Sequence, residues 1–148
     1  MATISEDYVS FETAKLLKEK GFDEACDKKY FGDDCSGPSY IRERWEDGGE
    51  VCPMSNSDLD DGSKYADISA PTLQMAIKWF EKVHNIHIAV VPCEVSPGVM
   101  DYTYILYKID TENFIFKDLG IQGRANTDKM SAPKTYEAAI KYCSENLI

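Results

Sequence analysis

Long apolar runs are missing from this sequence, and so are the short motifs that mark several common chemistries. No stretch reaches the roughly 18 consecutive apolar residues of a membrane-spanning helix, and residues 1–7 lack the basic and apolar regions of a secretion signal. The glycines form neither a G-x-G-x-x-G nor a P-loop, and no G-x-S-x-G or H-E-x-x-H occurs. We therefore expect no membrane span, no catalytic residues and no cofactor.

Paired and metal-spaced cysteines are also missing. The five cysteines are odd in number, widely spaced and contain no C-x-x-C. This pattern disfavours both a disulfide framework and a zinc ribbon. Unpaired thiols are typical of a reducing compartment, so the sequence favours the cytoplasm.

Basic side chains are few, with 16 Lys and Arg against 26 Asp and Glu and a net charge of -10. A protein this acidic repels phosphate backbones and anionic membranes. Direct nucleic-acid and membrane binding are therefore disfavoured, and basic proteins, or proteins that grip DNA, are favoured as partners. Self-association stays open.

The chain is otherwise ordinary in length and composition. It has 148 residues, of which 43% are hydrophobic and 28% charged, which is typical of a globular protein. A chain of this length buries about two thirds of its unfolded surface without staples. We expect one domain over residues 1–148.

Residues 69–91 give the clearest structural signal, an amphipathic helix that runs directly into a buried strand. Ser69 can cap this helix, and Pro71 fits its first turn, where a missing N–H leaves no bond unmade. Met75 and Trp79 widen the apolar face to about 200°, beyond the ~100° stripe that one contact covers. This flank is either helix–helix core or a binding patch, in which Trp79 would be the anchor.

The sequence also predicts helices and strands before and after residues 69–91. A helix is predicted over residues 11–20, capped by Ser10 and ended by Gly21 and Phe22. Short extended pieces at 25–31 and 40–45 form a plausible hairpin, followed by a surface loop at about 47–68. Strands are predicted at 86–91, 101–109 and 114–117, and a last helix after Ser131. The fold class is α+β, a mostly antiparallel sheet of about 4–5 strands with three helices packed mainly on one face.

Several residue types that support chemistry occur in patterns that do not favour it. His84 and His87 are spaced H-x-x-H, but they straddle the predicted helix end, so no metal site is expected. Cys93 and His87 share a strand face about 20 Å apart, too far for a nucleophile and its base. Residues 56–62 have oxygen ligands at alternate positions, but Gly62 stands one place too late for a calcium loop. These patterns favour solvated residues.

The predicted strand at 101–109 places two tyrosines, Tyr102 and Tyr104, on the face that we expect to be the outer one, with Val91. Aromatic side chains on a wet sheet face are often half-buried sheet residues, and they also form contact surfaces for proteins or small molecules. Together with Met75 and Trp79, these tyrosines are the candidate binding residues.

Four blocks of sequence resemble a group of small acidic proteins without assigned function, encoded by gut Bacteroidetes and their phages and mobile elements. The blocks are residues 9–17 (VSFETAKLL), residues 69–72 leading to Lys78-Trp79, residues 84–88 (HNIHI) and residues 136–140 (YEAAI). The blocks are specific in combination. The resemblance implies a bacterial cytoplasm and a phage or mobile-element context, and no catalytic residues.

The leading functional hypothesis is a non-enzymatic accessory protein of phage or mobile-element type. It would act by binding another protein, for example as an inhibitor of host machinery. The missing catalytic motifs, the negative charge and the surplus aromatic surface support it. A small-ligand or nucleotide-binding module, which would sequester a signalling molecule on a tyrosine-rich face, is the alternative. A structural virion component is the third class.

Overall fold

The structure, a computed structural model, describes residues 6–32, 34–42, 49–125 and 131–148, without the side chains of residues 34–36. The described residues divide into two compact units, of which the first ends at Thr72 and the second covers Leu73–Ile148. The single domain over residues 1–148 stays a prediction. In chain order the elements are α1 (Phe11–Glu19), β1 (Lys28–Phe31), β2 (Asp34–Tyr40), α2 (Asn56–Leu59), β3 (Ile68–Ala70), α3 (Leu73–His84), β4 (Ile86–Ser96), β5 (Val99–Asp110), β6 (Ile115–Gly123) and α4 (Ala132–Asn146).

In the first unit, β1 is the central strand of a three-stranded antiparallel sheet in the order β2-β1-β3. β1 and β2 form a hairpin, but its second strand differs from the predicted piece at 40–45: β2 covers Asp34–Tyr40, where a turn was expected, and residues 43–45 lie outside the described chain. α1 packs against β3. The Tyr30 hydroxyl of β1 donates a buried 2.5 Å hydrogen bond to the carbonyl of Val9, just before α1. The sheet and the helix therefore share a core.

The ends of α1 follow the sequence signals. The Ser10 hydroxyl accepts a hydrogen bond from the Thr13 N–H at 3.2 Å, which caps the first turn. At the other end Gly21 has a φ of 91°, and the Phe22 N–H donates to the Leu17 carbonyl at 2.9 Å. This is a Schellman stop, which needs a left-handed residue where glycine stands. Both predicted ends of α1 are confirmed.

The surface loop expected at 47–68 contains a buried helix start where it is described. Ser55 and Asp58 form a capping box at the first turn of α2. The Asn56 side chain is buried, and its amide donates to the Phe22 carbonyl at 2.7 Å while its oxygen accepts from the Ser69 N–H at 3.0 Å. The expected loop therefore does not hold for residues 55–56, because distant backbone groups bury polar side chains that local composition assigns to water.

The second unit follows the order α3-β4-β5-β6-α4, with the three strands joined as an antiparallel meander. α3 ends at His84, and the next residue, Asn85, has a φ of 54°, a conformation that Asn tolerates better than most residues. α3 and α4 pack on the sheet and on each other. This arrangement confirms the predicted meander and a helix that leads into a buried strand. The predicted helix start is wrong, because α3 begins at Leu73, while Ser69 lies in β3 and Pro71 follows that strand instead of standing in the first helical turn.

The α+β class is confirmed, with a different sheet organisation from the one expected. The strands form two three-stranded antiparallel sheets, one in each unit, instead of a single sheet of 4–5 strands. The reason is β3, only three residues long, which pairs with β1 and not with the meander. Its residues carry the capping signal of the following helix, so the local pattern hides the strand.

Candidate functional site

The meander has one face packed against α3 and α4 and one face that neither helix covers. Register places the pairs His87 with Tyr107, Ala89 with Ile105 and Tyr107 with Asp118 on the uncovered side. The residues of β4 and β5 on this side are half-buried or exposed, whereas the buried residues of the two strands, Ile86, Ile88, Tyr104 and Leu106, all lie on the other side. We call this side the open face, and it consists of His87, Ala89, Val91, Thr103, Ile105, Tyr107, Ile109, Phe116 and Asp118.

The two candidate tyrosines lie on the opposite face from the one expected. Tyr104 is 7% exposed and Leu106 fully buried, so their side of β5 faces the helices. The Tyr104 ring lies 6.2 Å from that of Tyr142 on α4 and packs over Gly123, where an added Cβ would come within 2.4 Å of the ring. Tyr102, on the same side near the strand start, is half-buried. The predicted outer face of β5 is therefore wrong, although the alternation itself is correct.

The two candidate residues on the flank of α3, Met75 and Trp79, differ in burial. Trp79 is 5% exposed, with its ring 5.1 Å from Phe80 and 4.7 Å from His84 in edge-to-face contacts. Met75 is half-buried. A buried ring has little surface left for a partner, so the positions on α3 favour the core alternative for Trp79. A binding role for this flank stays a prediction.

A pocket on the open face brings together residues that the sequence analysis did not group. It has a volume of about 300 Å³ and is lined by His87, Ala89, Tyr107 and Phe116. The His87 Nδ1 lies 2.5 Å from a carboxylate oxygen of Glu81, the last-turn neighbour on α3. This contact with Glu81 orients the imidazole ring. The pocket is therefore an aromatic recess with one positioned imidazole.

The hairpin between β5 and β6 displays large apolar side chains beside this pocket. Phe114 is 89% exposed, and Ile115 and Phe116 are each 57% exposed. Phe114 also has a φ of 54°, a left-handed conformation that costs an L-residue about 1–2 kcal/mol. We call residues 110–116 the aromatic hairpin. Its tip holds a bulky aromatic residue in a backbone conformation suited to glycine or asparagine.

A network of hydrogen bonds to one carboxylate shapes this tip. Asp110 accepts from the backbone N–H of Glu112 at 3.0 Å and from that of Asn113 at 3.1 Å. The Asn113 side-chain amide also donates to Asp110 at 2.8 Å. Bonds from the Asn113 side chain and backbone lower the pKa of Asp110 below its ordinary value. The turn is thus built locally, and Phe114 is presented by an ordered loop.

Charge is distributed unequally along the chain. Residues 1–72 contain 8 basic and 17 acidic side chains, a net of -9, and residues 73–148 contain 8 and 9, a net of -1. The first unit therefore carries nearly all of the negative charge. The open face and the aromatic hairpin belong to the nearly neutral unit.

The histidines and cysteines occupy separate environments. Burial and then the nearby Lys108 charge lower the pKa of His84, and its ring lies against Trp79. Burial raises the pKa of the Cys26 thiol to about 11 and that of Cys143 to about 12, so both are poor nucleophiles at neutral pH. Cys93 lies opposite Asp101 in the register, six positions along β4 from His87. The residues keep the separation along the strand that the sequence predicts.

Within the described ranges, no group of three or more His, Cys, Asp and Glu side chains is placed to hold a metal ion. The calcium-like stretch at 56–62 starts as α2, and Asp60 and Asp61 accept hydrogen bonds from the N–H groups of Gly62 and Ser63. None of the helices in the described chain is long and apolar enough to cross a membrane.

Comparisons with protein-family models, with curated proteins and with solved structures find no match to this chain. The resemblance to acidic proteins of Bacteroidetes and their phages stays an expectation from the sequence. The residues that line the pocket, His87, Ala89, Tyr107 and Phe116, all lie on predicted strands, but no sequence pattern groups them into a site. The usable signal for the aromatic hairpin was the run Phe114-Ile115-Phe116 beside a turn.

Proposed function

We propose that this chain is a non-enzymatic accessory protein of phage or mobile-element type that binds another protein in a bacterial cytoplasm. The binding surface is the open face together with the aromatic hairpin. The observation that carries the proposal is Phe114, which is both 89% exposed and held at a φ of 54°. Neither property stabilises the free protein, and a partner that buries the ring would offset both costs.

The chemistry of the hairpin matches that of a protein-binding hot spot. Hot-spot residues are large, often aromatic, and cluster so that they enter a pocket on the partner together. Phe114, Ile115 and Phe116 are consecutive and each more than half exposed. An ordered turn lowers the entropy that these side chains lose on binding.

The edges of the sheet favour binding through the face over strand addition. The Ile109 N–H donates to the Asn85 carbonyl, so the odd-numbered residues of β4 bond to β5 and the even-numbered ones direct their backbone N–H and C=O groups away from the sheet. Pro92 is one of these even-numbered residues, and it has no N–H to offer an added strand. On β6 a bulge inserts Leu119 and Gly120, the latter at a φ of 71°. Both devices interrupt the pairing pattern that an added strand would need.

The charge of the first unit supports a basic partner. A net charge of -9 over residues 1–72 attracts a positively charged protein over long range and speeds its association. The partner that fits is a protein with an apolar groove bordered by Lys and Arg. Inhibition of a host protein that handles nucleic acid is one activity of this kind.

Native mass spectrometry of the protein purified under low salt from a gut Bacteroidetes host tests this function. We expect the chain to retain a protein partner, with the yield falling as salt rises because the attraction is screened. A retained small molecule without a protein would contradict the proposal and favour the ligand-binding alternative, which the pocket of about 300 Å³ supports. Recovery only as assembled particles would favour the virion component.

A further inference from the structure

We propose that His87, Tyr107 and Phe116 form an aromatic cage for the ammonium or guanidinium group of a basic side chain on the protein partner. This inference rests on the proposed function and names the group that the open face recognises. The three rings and Ala89 line the open pocket of about 300 Å³. A larger side chain at Ala89 would fill the recess that the rings enclose.

The relative orientation of the rings suits a cation. Tyr107 and Phe116 have centroids 6.4 Å apart at an interplanar angle of 88°, and His87 and Phe116 are 5.2 Å apart at 73°. These are edge-to-face contacts, which occupy one ring face in each pair, so a cation would bind over the ring surfaces that line the pocket. Cations bind over ring faces within about 6 Å of the centroid.

Polar groups around the rings also favour a positively charged N–H donor. The Glu81 carboxylate lies 2.5 Å from His87 Nδ1. Asp118 stands opposite Tyr107 on β6, and its carboxylate accepts from the Gly120 N–H at 2.7 Å. The recess thus has two carboxylates near it. These groups favour a cation over an anion or a neutral apolar group.

The first unit contains the same chemistry with its cation in place. The Lys28 ammonium lies over the Tyr8 ring at 4.5 Å and over the Tyr40 ring at 4.4 Å from the centroids. In the described part of the chain, no Lys or Arg has a corresponding position over Tyr107 or Phe116. The cage is therefore accessible to a basic side chain from another protein.

NMR titration of the full-length ¹⁵N-labelled protein with N-acetyl-arginine amide tests this site. We expect saturable shifts of the His87 and Ala89 amide signals, with a dissociation constant in the millimolar range for so small a probe. The neutral isostere N-acetyl-citrulline amide should give at least about 5-fold weaker binding, because it lacks the charge that the rings attract. Equal binding of the two probes, or no saturable shift at these amides, would overturn the proposal.

Matched variants assign the effect to the rings. Phe116→Leu and Tyr107→Leu should each weaken the arginine probe about 2- to 5-fold, while Phe116→Tyr should preserve it. Met100→Leu, at the far end of β5, is the control and should change nothing. Well-dispersed amide signals from the other residues of the sheet serve as the control that each variant is folded. Unchanged binding in both leucine variants would overturn the cage.

Partner capture separates this inference from the proposed function. If a protein copurifies and Phe116→Leu reduces its yield while Phe116→Tyr does not, both stand. If a protein copurifies with equal yield in the two variants, the cage is overturned and the protein-binding function is kept. If the arginine probe binds but no protein copurifies, the cation is a free small molecule, and both proposals are overturned as stated.

Discussion

Replacing Leu106 with Ala is expected to lower the free energy of unfolding by about 2–5 kcal/mol. Leu106 is fully buried in the centre of β5, on the face that α3 and α4 cover. The substitution removes three carbon atoms from a closely packed site and leaves a cavity that the strand backbone cannot fill. Urea unfolding followed by far-UV circular dichroism measures the change.

The neighbouring residue Ile105 is the matched control, because it lies on the open face of the same strand. It is half-buried, so Ile105→Ala should cost about 1 kcal/mol, clearly less than Leu106→Ala. Equal costs, or a larger cost at Ile105, would mean that the helices cover the other face of β5. The open face would then not exist as described.

Replacing Asn56 with Ala is expected to destabilise the first unit by about 2–5 kcal/mol. Its side chain is 5% exposed and satisfies the Phe22 carbonyl and the Ser69 N–H, both of which the variant leaves buried without this partner. Each unsatisfied buried group costs about 1–3 kcal/mol. Urea unfolding again measures the change.

Ser57 is the control for this substitution, since it is adjacent in sequence but exposed. Its hydroxyl and N–H donate to the exposed Asp23 carboxylate at 2.5 and 2.6 Å. Ser57→Ala should therefore cost less than about 1 kcal/mol, because water replaces the lost hydroxyl bond. Similar losses for the two variants would show that Asn56 is not a bridge between distant segments.

Local patterns predicted the elements well where the physical cause is local. The cap at Ser10, the stop at Gly21 and the alternation along β5 each depend on a few neighbouring residues, and each is found in the structure. The buried face of β5 was not predicted correctly. Both of its faces carry aromatic and aliphatic residues, so the choice depends on where α3 and α4 pack, which periodicity does not contain.

Long-range bonds explain the other differences from the sequence. Asn56 reaches partners 34 and 13 residues away, so a polar, loop-like composition concealed a buried helix start. β3 is three residues long and overlaps a helix-capping signal. Neither the hydrogen bonds of Asn56 nor the pairing of β3 with β1 can be predicted from neighbouring residues, because both depend on segments that approach each other only in the folded unit.

The candidate site was predicted only in its general character. Surplus aromatic surface was expected, but on Trp79 and Tyr104, which are buried. Turn rules place glycine or asparagine at left-handed positions, so no sequence pattern predicts Phe114 there. The open-face pocket joins residues of three strands, and their grouping required the register between β4, β5 and β6.

Quantitative affinity capture with Phe114→Gly tests most directly whether the aromatic hairpin binds a protein. Glycine adopts the φ of 54° without strain, so the variant should be as stable as the original chain or about 1 kcal/mol more stable. The partner captured by the original chain should bind at least about 30-fold more weakly to the variant, which corresponds to about 2 kcal/mol. Met100→Ala, exposed at the opposite end of β5, should capture it normally. Equal capture by Phe114→Gly and the original chain would contradict binding through the aromatic hairpin.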